Sequence, residues 1–227
     1  MEERSKLQKT TDADFDLEAE PRWPAVIALL AVGGLSLALP STLSVGPRWL
    51  LFVVVGILLV PTVLTHRVGH HKLNFFFGQL LAGVATLFMI ISIGNLIRLL
   101  PKHTEPPITL LTSAAVLWVT NVLIFASWYW RLDAGGPHKR DMRRGHPTGA
   151  FLFPQMTLDT SDKDEEEGDN WAPQFMDYLF LAFNFSTALS PADTSVLSRW
   201  AKSLVMVQAS ISLTIIVILA ARAVNIL

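Results

Sequence analysis

Apolar residues along this chain fall in long, nearly uncharged blocks separated by short polar stretches, a pattern of helices built to cross a bilayer. Five blocks predict full spans: Trp23–Leu39, closed by Pro40; Trp49–Leu64, with Pro61 near its end; Leu73–Ile97; Pro106–Trp130; and Ser203–Ala221. A sixth block, Tyr178–Ala192, reads YLFLAFNFSTALSPA and is bracketed by Asp177 and Asp193. As a helix it would reach only about 22 Å, against a hydrocarbon core of about 30 Å. The predicted fold class is an all-α membrane protein: a compact bundle of five full transmembrane helices plus one short fifth segment, crossing or re-entrant, six hydrophobic segments in total.

Connections of about eight to ten residues between the first four blocks make successive helices antiparallel neighbours. The expected organisation is a disordered cytoplasmic tail over 1–21, a four-helix membrane part over 22–130, a cytoplasmic loop over 131–174, and a short polar helix with a long carboxyl-terminal helix over 175–227. The last unit forms one domain with 22–130. The tail carries charge without an apolar core of its own, so ordering it has little to offset the entropy. The loop divides by sign, with Arg131, Lys139, Arg140, Arg143 and Arg144 ahead of an acidic run from Asp159 to Asp169. Trp23, Trp49, Trp128, Tyr129, Trp130 and Trp171 stand at segment ends, where amphipathic rings favour the headgroup layer.

Composition sharpens this reading: 51% of the 227 residues are hydrophobic and 16% charged, the net charge is −1, and there is no cysteine. Nothing in that balance points to nucleic acid, and no thiolate site is available. There is no phosphate-binding glycine loop, HExxH pair or nucleophile elbow, so neither an enzyme nor a cofactor is expected. His66, His70 and His71 stand close together, but Arg67 and Lys72 among them oppose a divalent cation, so no metal site is assigned. The expected partners are the lipid bilayer, a small ion or solute, and further copies of the chain.

If all six segments cross a bacterial-type inner membrane with the amino terminus inside, twelve Lys and Arg residues lie inside and five outside, leaving aside Arg222 at the end of the last helix, and both termini are cytoplasmic. If the fifth segment re-enters, Arg199 and Lys202 also lie inside and the count becomes fourteen against three.

Two constellations stand out as candidate chemistry. Asn184, Ser186, Thr187 and Ser190 cluster in the short segment, with Asp193 at its mouth and Gln208 on the last helix, and define a candidate polar path. Gln208 shares a helix face with Ser212. Asp177 and Arg222 would meet at one depth if both segments crossed antiparallel, as a candidate intramembrane ion pair. Gly78 and Gly83, with Gln79 and Asn95, predict close helix approach in the third block.

The carboxyl-terminal third, from MDYLFLAFNFSTALSPADTS to ARAVNIL, with Trp128–Pro137 (WYWRLDAGGP) and Phe151–Gln155 (FLFPQ), resembles a family of uncharacterised bacterial integral membrane proteins. That resemblance implies a small helical membrane protein and no particular activity. The order of short segment, loop and long helix is also similar to the pore module of potassium-channel-like proteins, with Phe183–Asp193 at the pore-helix end and filter. Ser186-Thr187-Ala188-Leu189-Ser190 has no glycine, which departs from the T-V-G-Y-G filter and its backbone geometry. The expected function is therefore a membrane protein passing a small ion or solute, or alternatively a structural or partner-binding membrane protein.

Overall fold

In the computed structural model, which describes residues 20–102, 105–142, 149–157, 171–187 and 193–224, the chain is almost entirely helical. The helices are α1 (Trp23–Leu37), α2 (Leu50–Arg67), α3 (His71–Leu99), α4 (Pro107–Leu132), a five-residue α5 (Pro137–Asp141), α6 (Phe175–Thr187) and α7 (Arg199–Val224). Two-residue strands β1 (Phe151–Leu152) and β2 (Ser195–Val196) pair antiparallel.

Among the described residues, four helical stretches are long and apolar enough to cross a membrane: Leu50–Arg67, His71–Lys102, Pro107–Gly135 and Arg199–Val224. Five full spans were expected from the apolar blocks; the fifth, α1, has only 15 helical residues, about 22 Å. Its apolar block is not shorter than read, but its end is not helix. The chain turns out at Ala38 ahead of Pro40, and Leu39 and Leu43 bury themselves as an irregular segment against the bundle. Asn95 Nδ2 donates to the Leu43 carbonyl at 3.4 Å and ties that segment to α3. Apolar thickness is thus completed by side chains from a turn.

Each helix begins and ends for local reasons. Pro24 and Pro107 occupy first-turn positions, where a missing N–H has no partner to lose. Pro61 lies inside α2, and nearby Thr hydroxyls satisfy carbonyls around it: Thr62 Oγ1 donates to Leu58 O at 2.7 Å and Thr65 Oγ1 to Pro61 O at 2.6 Å. Gly69, at φ +76°, makes the turn into α3.

The core is centred on α4, which packs against α1, α3, α6 and α7 and buries Leu110, Ala114, Leu117, Phe125, Tyr129 and Trp130. The end of the bundle carrying Glu20, Arg67, His71 and Leu132 is called proximal; the end carrying Arg48, Leu100 and Val224 is distal. The described chain therefore begins proximally and finishes distally, whereas six crossings would return it to its starting side.

Residues 131–174 are expected to form a cytoplasmic loop, basic then acidic, and their described part folds as a cap on the proximal end. Arg131 belongs to the last turn of α4; Asp133, Arg140, Ala150, Phe151 and Phe153 are buried. The cap leaves α4 through Ala134, Gly135 and Gly136, all at positive φ, and a Cβ on Gly136 would stand 2.9 Å from the Arg131 carbonyl. The acidic run 159–169 and residues 1–19 lie outside the described residues.

Candidate functional site

Helix α6 is a half-helix whose two flanks are both fastened to the proximal cap. Its first turn is held by Tyr178, whose hydroxyl donates to Asp133 Oδ2 at 2.6 Å, and by Phe175 N, which donates to Glu20 Oε1 at 2.8 Å. The chain beyond α6 returns to the same end. β2 pairs with β1, matching Val196 to Phe151 and Ser195 to Leu152, and Leu197 N donates to Ala150 O at 2.8 Å. Phe151 makes edge contacts with Tyr178 at the start of α6 and Trp200 at the start of α7, with ring centroids 6.3 Å and 6.4 Å away. The start of α6 and the strand β2 that follows it thus lie at the same, proximal end.

The two helices run parallel. Ala182 O and Ser186 Oγ accept from Gln208 Nε2 at 2.7 Å and 2.8 Å, and one turn further along, Ser186 O accepts from Ser212 Oγ at 2.6 Å. Contacts advance together on both helices, as parallel packing requires. With 13 residues, about 20 Å, α6 stops short of the distal end. Its carbonyl terminus, the negative end of its dipole, lies inside the apolar part of the bundle.

Gln208 is the centre of a closed polar knot. Its Oε1 accepts from the Tyr129 hydroxyl, its carbonyl accepts from Asn121 Nδ2 at 3.4 Å, and Ser212 Oγ accepts from Trp118 Nε1 at 2.9 Å. Gln208, Asn121, Tyr129, Ser186 and Ser212 are all buried. Buried amides and hydroxyls in an apolar bundle must find partners, and here nearly all do; Asn121 Oδ1 has none among the described residues.

Of the residues on the candidate polar path, Ser186 and Gln208 therefore meet directly, and both are engaged within the chain. Asn184 and Thr187 are half-buried near the α6 terminus, where Thr187 Oγ1 donates to Asn184 O at 3.0 Å. Asp193 is exposed at the proximal end, and Ser190 lies outside the described residues. Tyr129, Trp118, Asn121 and Ser212 complete the knot. Trp118 carries no signal in the sequence, and Tyr129, expected as an interfacial ring at a segment end, is fully buried in the knot.

Asp177 and Arg222 stand at opposite ends and form no ion pair. Asp177 Oδ2 accepts from Gln174 N at 2.7 Å and caps α6 proximally; Arg222 Nη2 donates to Leu100 O at 2.7 Å, at the distal end of α3. Their expected meeting assumed antiparallel helices, whereas α6 and α7 run parallel.

The cap that holds α6 is an ionic cluster. Glu20 Oε1 accepts from Trp130 Nε1 at 2.5 Å, and Glu20 Oε2 faces Arg22 Nη1 and Arg140 Nη2, each at 3.1 Å. Arg22 also pairs with Asp141. Burial pulls the Arg22 guanidinium below its ordinary pKa, while Asp141 and Glu20 oppose that shift. Arg140 Nη1 donates to Trp130 O at 2.8 Å and Asp133 O at 3.1 Å; Asp133 Oδ1 accepts from Ala150 N at 2.5 Å. Glu20 falls within the tail expected to be disordered, yet it joins α1, α4, α5 and α6.

Comparison with protein families, with curated proteins and with solved structures finds no match for this chain.

Proposed function

We propose that this protein is a channel-like membrane protein in which α6 and α7 form the conducting module, passing a small cation. The observation that supports this reading is the re-entrant half-helix: α6 begins and its chain returns at one end, and its carbonyl terminus stops within the bundle. A helix carboxyl end directed into a low-dielectric interior attracts cations, and exposed Asp193 lies on the same side.

Within one chain the Gln208 knot is closed, so the proposed path runs between copies, along the exposed side of α7, where Ser203, Ser210 and Thr214 carry hydroxyls. Orientation is part of the proposal. Among the described residues, Arg22, Arg67, Lys72, Arg131, Lys139, Arg140, Arg199 and Lys202 flank the proximal end, against Arg48, Arg98, Lys102 and Arg222 distally. Eight against four supports the reading that the proximal end faces the cytoplasm, on the assumption of a bacterial-type inner membrane.

The test is cation flux into liposomes carrying purified protein. Flux above empty vesicles, altered by Ser210→Ala and Thr214→Ala with expression unchanged, supports conduction; rates equal to empty vesicles for sodium, potassium and protons remove it. A second reading, a structural membrane protein without transport, is favoured by the closure of the knot. It predicts that those two substitutions leave every flux at background.

A further inference from the structure

Trp130 carries a guanidinium near each of two arginines: Arg22 at 5.6 Å from the ring centroid and Arg131 at 5.4 Å. The two cations are treated differently. Arg22 is neutralised by Glu20 and Asp141, and Arg140 shares Glu20. Arg131 is only 5% exposed, donates no hydrogen bond to any described residue, and has a buried Nε without a partner. Its guanidinium fills the place a Cβ would take at Gly78 of α3, so that glycine is the slot that admits it. A buried, unpaired guanidinium is costly, and Trp130 and the α4 carboxyl terminus offset only part of that cost.

Arg131 lies on the shared wall of two open cavities. One, of about 500 Å³, lies between α1, α2 and α4 and reaches His66 and Arg67; the other, of about 370 Å³, runs between α3 and the cap. Asn74, Pro137 and His138 border both. The smaller cavity is lined by Lys72, Lys139, His71 and His138 around Arg131, without a carboxylate. His71 and His138 stack with centroids 3.3 Å apart and planes at 7°. Buried fork donor, basic rim and the lack of a counter-ion among the described residues together describe a receptor for a tetrahedral oxyanion.

We infer that the cavity beneath Arg131 binds a phosphate group, presented by an anionic phospholipid headgroup or by free inorganic phosphate. Basic pockets between membrane helices at the headgroup level suit the first source. Arg131 would supply the charge-assisted bonds, and Asn74 Nδ2, which now donates to Thr62 O at 2.6 Å, lies on the rim.

The experiment is microscale binding to the full-length protein in detergent, with phosphatidylglycerol or phosphatidylcholine in mixed micelles, and separately with inorganic phosphate. Saturable binding of phosphatidylglycerol over phosphatidylcholine, weakened about tenfold or more in Arg131→Gln, identifies the headgroup source. The same loss read with inorganic phosphate, and no preference between lipids, identifies the free anion. Affinity for both probes unchanged in Arg131→Gln, or no saturable binding to wild type, overturns the inference. Should Arg131→Gln fail to fold, Asn74→Asp places a carboxylate in the cavity while Arg131 remains, and must abolish binding; native mass spectra of wild type must still retain phosphatidylglycerol or phosphate over phosphatidylcholine.

Discussion

Replacing Gln208 by leucine keeps the volume at the centre of the α4–α6–α7 contact and removes every bond its side chain makes. Three are lost: two from Nε2, to Ala182 O and Ser186 Oγ, and one accepted from the Tyr129 hydroxyl. At roughly 0.6 kcal/mol per interhelical bond in a membrane bundle, the direct loss is about 2 kcal/mol. Tyr129 is fully buried, so its hydroxyl is left without an acceptor, which adds about 1 kcal/mol or more. The expected destabilisation is therefore about 3 kcal/mol, read by reversible unfolding in mixed micelles with rising denaturing detergent. A cycle with Tyr129→Phe isolates the shared bond together with the orphaned hydroxyl: the two changes together should cost less than their sum by about 1.6 kcal/mol. Additivity within error, with Gln208→Leu costing under about 0.5 kcal/mol, would show that α6 is not held against α7 by this knot.

Other outcomes are as definite. Cysteines at Leu152 and Ser195, paired across β1 and β2 in a chain without native cysteine, should form a disulfide under mild oxidation, seen as a mobility shift on gels; a crossing fifth segment would keep them apart. Tyr178→Phe removes a bond to the buried Asp133 carboxylate and should cost about 1.5–3 kcal/mol in the same unfolding assay. Gly78→Ala puts a methyl where the Arg131 guanidinium lies, so it should destabilise wild type while costing far less in an Arg131→Ala background. Burial and the stacked His71 lower the His138 pKa from 6.5, so the unfolded chain binds more protons there than the fold does. Stability from this residue is complete above pH 6.5 and falls as pH drops toward the folded pKa; His138→Asn should flatten that slope in thermal melts across the interval.

The spanning helices were legible because period and length speak for themselves in apolar blocks: Leu73–Ile97 became His71–Leu99, and Ser203–Ala221 became Arg199–Val224. The proximal position of the chain after α6 was not legible, because two pairs of residues, Phe151 with Val196 and Leu152 with Ser195, set it, and strands of two residues leave no periodicity to read. Glu20 misled for a similar reason. It follows a charged tail in sequence, but its carboxylate is worth ordering only where Trp130, Arg140 and Phe175 converge, and those come from distant positions. Gly78 pointed correctly to a close approach; that the approaching group is an arginine and not a neighbouring backbone lies in the register between α3 and α4. Ser186 and Gln208 were singled out as polar residues of adjacent segments and do meet, while Tyr129, which completes their bonding, carries no polar signature in a run of aromatics.

Glu20 and Val224 stand at opposite ends of the bundle, joined along its length by α7. Probes attached at these two positions would therefore report separately on the two ends, across roughly the 39 Å that 26 helical residues span.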